Sequence, residues 1–162
     1  MDGRVYAVSF AATAETNKVD WFELTTGSTG YIRILYIDIG QTTELGDAQE
    51  EQIDWYIKRG TGSYTSGSGG NSSVARTAVL PGDAAATFTA ETLNTTQIAV
   101  GTGTLTTIHN SAFNLRAGLQ VAFTPEVAPA CAPSSALAIG MTGNPADSVT
   151  WVGTVYVEEL SP

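Results

Sequence analysis

Along most of the chain, apolar side chains recur at every second position, the spacing that lays one face of a strand against a core. In "RVYAVSF" Tyr6, Val8 and Phe10 share a side. In "VDWFEL" Val19 and Trp21 oppose Phe22 and Leu24, and in "YIRILYIDIG", residues 31–40, aromatic and branched residues fill both sides around Arg33. Strand-like runs continue in "EEQIDWYIK" (50–58), "ARTAVL" (75–80), "TTQIAV" (95–100), "TLTTIHN" (104–110), "GLQVAF" (118–123), "ALAIGM" (136–141) and "DSVTWVGTVYVEEL" (147–160). Roughly ten short strands at this spacing, with no long amphipathic helix, predict an all-β chain: an antiparallel β-sandwich, jelly-roll-like. Helix is expected only as single turns, over 81–88 and 110–118.

At 162 residues the chain suits one sandwich domain over 1–162. Two stretches interrupt the strand pattern. "GTGSYTSGSGGNSS", 60–73, reads as a flexible surface loop and, with Tyr64 in it, as a contact region. "TPEVAPACAPSS", 124–135, carries three prolines and is the second long loop.

Charge narrows the function classes. Sixteen acidic against seven basic residues give a formal net charge of −9, which repels phosphate backbones and anionic lipid, so neither nucleic acid nor a membrane surface is an expected partner. The single cysteine, Cys131, has no internal disulfide partner. "MDGRVYAVSF" lacks the apolar run of a signal peptide, and synthesis in a cytoplasm is expected.

The stretch "GDAQEEQIDWYIKRG", 46–60, is the richest in candidate chemistry, with Asp47, Glu50, Glu51 and Asp54 ahead of Lys58 and Arg59. On a strand Ile53, Trp55 and Ile57 face the core while Asp54 points away. Catalytic carboxylate pairs need environments that separate their pKa values, and a polar strand entrance desolvates them little. Nor does the spacing match a calcium loop. These acids read as a solvated or partner-facing edge. His109, the only histidine, and Cys131 are too few for a zinc site, no G-x-S-x-G elbow occurs, and the glycine runs lack the Lys-Ser/Thr of a phosphate cradle. The residues thus predict no catalytic, cofactor-binding or metal site and no cofactor. Trp21, Trp55 and Trp151 sit in apolar stripes and read as core, with a sugar-stacking platform as the alternative. The face of Tyr31, Leu35, Ile37 and Ile39 is the candidate subunit contact, because it is very apolar for a monomer.

Several segments, "RVYAVSF", "GDAQEEQIDWYIKRG", "TSGSGG", "DAAATFTAETLNTT", "AFNLRAGLQV" and "GTVYVEEL", together span most of the chain. They resemble a group of small virion structural proteins of tailed bacteriophages and their prophages. The resemblance implies a non-enzymatic capsid decoration (cement) protein of jelly-roll fold that trimerises, binds the major capsid protein and resides on the capsid surface. Tail and head-fibre subunits share such architecture, so a carbohydrate- or receptor-binding module is the second expectation. A hydrolase using Glu51 and Asp54 is the third.

Overall fold

The computed structural model describes residues 3–43, 46 and 50–160; Asp47 lies outside them. Among the described residues the strands are β1 (Gly3–Glu15), β2 (Asp20–Thr25), β3 (Tyr31–Gln41), β4 (Gln52–Thr61), β5 (Thr77–Ala78), β6 (Thr89–Asn94), β7 (Thr104–Asn114), β8 (Leu119–Ala122), β9 (Ala130–Cys131), β10 (Ser135–Met141) and β11 (Val149–Leu160). The first sheet runs β5-β1-β11-β3-β8, with β9 also on β3; the second runs β6-β2-β10-β4-β7. The long strands pair from the chain ends inward, β1 with β11, β2 with β10, β3 with β8 and β4 with β7, all antiparallel. A single long ribbon rolled into two packed sheets gives this order, which is the jelly-roll pattern.

The core lies between the sheets. Tyr6, Val8, Ile32, Ile34, Ile37, Ile39, Val155 and Val157 come from the first, and Phe22, Leu24, Ile53, Ile57, Leu137, Ile139 and Met141 from the second. Burying each large apolar side chain is worth about 1.5–3 kcal/mol, so the sandwich holds without a disulfide. Trp21, Trp55 and Trp151 are all within this core, and the Trp21 and Trp151 rings meet edge to face at 5.3 Å across the sheets. None of them forms an exposed platform.

Bulges correct the period-two reading at two places. Ile139 pairs with Phe22 but Gly140 pairs with Asp20, which leaves Trp21 as the extra residue of β2. Trp21, Phe22 and Leu24 therefore all enter the core, where strict alternation had set Trp21 against Phe22. On β3, Tyr156 pairs with Tyr36 but Val157 with Ile34, so Leu35 is extra and the strand changes phase there. Ile37 and Ile39, expected on a subunit contact with Tyr31 and Leu35, are consequently fully buried core residues, while Tyr31 is 44% exposed and Leu35 half-buried on the outer face.

Other expectations shift at their edges. Residues 110–114 continue β7 and end in a turn, so the 110–118 stretch makes no helical turn, and 81–82 form a simple turn. The 75–80 run forms only the short β5, and 95–100 joins no sheet; β6, which the alternation did not mark, pairs with β2. The proline-rich stretch places Ala130 and Cys131 on β3 as β9. Segment 60–73, read as a flexible loop, is a built layer: its first two residues end β4, and the rest is tied to 92–99 by bridges at Thr65–Ala99, Ser68–Thr96 and Asn71–Thr92. Paired backbone hydrogen bonds of 2.8–3.0 Å close each bridge. Glycine serves close packing there, since a Cβ at Gly70, Gly101 or Gly103 would collide with backbone oxygens of Thr92, Ser63 and Thr61.

Candidate functional site

The two outer faces of the sandwich differ in kind. That of the second sheet is covered by the chain itself over β2 and β10, while its β4–β7 side stays open. Along β10 the outward residues are Ala136, Ala138 and Gly140, small enough for segments 62–74 and 95–103 to lie over them. Ile98, Tyr64 and Leu105 pack there as a second apolar cluster, and Tyr64 rides directly over Gly60. Polar contacts fix the layer in place. The Ser66 hydroxyl donates to Glu23 Oε1 at 2.5 Å and the Gly67 N–H to Glu23 Oε2 at 2.8 Å.

Asp20 is the second fastening. It is fully buried on the outward side of β2 and accepts from the Tyr56 hydroxyl (2.5 Å), the Ile98 N–H (2.7 Å) and the Gln97 amide (3.3 Å). Burial pushes its carboxyl up to about 6 against the pull of these donors, and raises the Glu23 carboxyl too. Burial, with Asp20 beside it, also raises the Tyr56 phenol. A Cβ at residue 140 would run into Asp20 Oδ1 and the Tyr56 hydroxyl, so glycine stands there. Every polar atom of this Asp20 carboxylate is committed to holding the layer, which leaves it no access to a substrate.

The outer face of the first sheet carries no covering segment among the described residues. Its strand register sets out rows across the sheet: Ala7, Tyr156, Tyr36 and Ala122 form one, with the two tyrosine rings 6.1 Å apart. On one side lies the row Ser9, Thr154, Asp38 and Gln120; on the other, Val5, Glu158 and Arg33. Arg33 Nε meets the buried Glu158 carboxylate at 2.5 Å. The result is a flat face with an apolar, aromatic middle row between polar and charged ones.

The expected contact residues scatter over this frame. Tyr31 and Leu35 lie on the first sheet, away from Tyr64 in the covering layer. Glu50 and Asp54 are exposed at the entrance of β4, and Glu51 accepts the Ala146 N–H at 2.7 Å. His109, expected at a strand end, lies within β7 and packs on the Trp55 ring at 4.8 Å. Cys131 is buried, its thiol pushed up to about 12, chiefly by burial. No group of three or more His, Cys, Asp or Glu among the described residues is placed to hold a metal ion. An open groove of about 530 Å³ between Ser9–Glu15 and Gly69–Asn71 contains one ionisable group, Glu15. A smaller one, about 280 Å³, lies beside β7 and holds Lys18 and Lys58 with Tyr56, Gln97, Thr107 and Asn110.

The Asp20 and Glu23 fastenings were not identified from the sequence. Their signal was a charged residue on each side of an otherwise apolar β2, "DWFEL". Searches against protein-family models, curated proteins and solved structures find no match to this chain.

Proposed function

We propose that this chain is a non-enzymatic virion structural protein, a capsid decoration subunit that trimerises and stabilises a tailed-phage head by binding the major capsid protein. The observation that carries the reading is the asymmetry of the two faces. One is covered over β2 and β10 by the chain's own Gly/Ser-rich layer, while the other presents Ala7, Tyr156, Tyr36 and Ala122 as an uncovered row. A rigid sandwich with one open, mixed apolar and polar face suits repeated modest contacts, and many such contacts over a lattice multiply their effect. The segment resemblance supplies the head as the setting.

The test is cosedimentation with expanded phage heads. The reading expects saturable binding that Tyr36→Glu with Tyr156→Glu abolishes while the fold is kept; failure of the unaltered protein to sediment with any head would end it. The Tyr36–Tyr156 pair also favours a second reading, a carbohydrate- or receptor-binding module of a tail or head fibre, for which a glycan array is the direct assay.

A further inference from the structure

An edge strand presents unpaired backbone N–H and C=O groups, and proteins guard such edges with charges, proline, shortness or a covering segment. The other edges here are guarded: β5, β8 and β9 have two to four residues, β1 beyond its short pairing with β5 is broken by a bulge between Phe10 and Thr13 and ends on Glu15, and β6 is bridged to the covering layer through Thr92 and Asn71. β7 is different. It runs for eleven residues at the edge of the second sheet, pairs among the described residues with β4 alone, and reads "TLTTIHNSAFN", with no charged residue and no proline. Its one irregularity, the bulge at Ile108, leaves that apolar side chain 37% exposed.

The chain behind this edge is electrically polar along its length. Glu50, Glu51 and Asp54 stand at the entrance of β4, and Lys58 and Arg59 near its exit, with Asp54 opposite Ala112 and Lys58 opposite Thr107 of β7. The groove beside β7 holds Lys18 and Lys58, both lysines of a chain whose net charge is −9.

We infer that β7 is a pairing edge for β7 of a second copy of this chain, antiparallel about a two-fold axis at Asn110, so that the two second sheets join into one. With Ile108 looped out of each strand, Ala112 of one copy meets Thr107 of the other. That places Asp54 of the first copy in line with Lys58 of the second, on the same face and three strand spacings, roughly 14 Å, apart. The acidic entrance of each β4 approaches the lysine groove of its mate, twice by symmetry. About half of the eleven residues offer outward backbone groups to the new ladder. One strand pair is a small interface, so the contact forms where copies are concentrated or arrayed side by side.

Disulfide trapping tests it. Asn110→Cys, at about 1 mM protein under mild oxidation, is expected to give a covalent dimer at least ten times faster than Thr104→Cys, whose two copies the axis sets roughly 35 Å apart. Cys131 is buried and supplies no competing thiol. Adding Asp54→Lys is expected to slow the Asn110→Cys reaction several-fold. Hydrogen exchange on the unaltered protein is the check that needs no variant: β7 amides gain protection as concentration rises. Equal trapping at both positions, faster trapping at residue 104, or β7 exchange independent of concentration would overturn the inference.

Discussion

Replacing Asp20 by Asn separates the cost of burying a charge from the benefit of the hydrogen bonds that surround it. In the folded chain the Asp20 carboxyl is pushed up to about 6, against an ordinary value of 3.8, because burial penalises the ionised form more than the hydrogen bonds from Tyr56 and Ile98 stabilise it. A gap of about two units corresponds to about 3 kcal/mol at most. Since the folded value is the higher one, the stabilisation is full below the unfolded value and is lost as pH rises through about 6. Roughly 2 kcal/mol of the change falls between pH 4.5 and 7.5.

Asn does not titrate, so the stability of the wild type minus that of Asp20→Asn cancels the carboxylates common to both. Urea unfolding followed by the fluorescence of the three buried tryptophans measures each stability. The difference is expected to shrink by about 2 kcal/mol from pH 4.5 to pH 7.5. A difference that stays constant would show that the donors balance burial, one that grows with pH that they outweigh it, and either would refute the reasoning.

Three further outcomes follow from the packing. Ile37→Ala, at a fully buried position, is expected to cost about 2–5 kcal/mol, by an amount independent of protein concentration in the unfolding assay; a concentration-dependent loss would return Ile37 to an interface. Gly140→Val is expected to expel the covering layer from Asp20 and Tyr56, seen as rapid exchange of the Ile98 amide, and slow exchange there would contradict the packing described. Cys131 is expected to resist thiol reagents in native protein and to react fully in urea; fast native labelling would contradict its burial.

The fold class was legible because alternation survives along β1 as far as Phe10, along β4 and along β11, whose inward residues are the ones the pattern selects. What the pattern could not carry was phase. A bulge adds one residue to one strand, and nothing local to "WF" in β2 or "ILY" in β3 distinguishes it from strict alternation, so Trp21, rightly read as core, was set opposite Phe22, and Ile37 and Ile39 were set on the contact face. The covering layer was misread for a related reason: glycine and serine are the residues both of loose chain and of backbone packed hard against backbone, and only the partner segment 92–99 tells the two apart. Asp20 and Glu23 were visible as charges in an apolar strand, but their purpose depends on Ser66, Gly67 and Ile98, more than forty residues away.

In the proposed trimer the uncovered face of the first sheet joins copies of this chain, through the same Tyr36–Tyr156 row whose loss is expected to abolish head binding. Light scattering on the purified protein at micromolar concentration addresses it most directly. The predicted mass is about three times 16.9 kDa, falling to that of a single chain when Tyr36 and Tyr156 are both replaced by Glu with the far-ultraviolet spectrum unchanged. A single-chain mass for the unaltered protein, or a trimer indifferent to both substitutions, would contradict it.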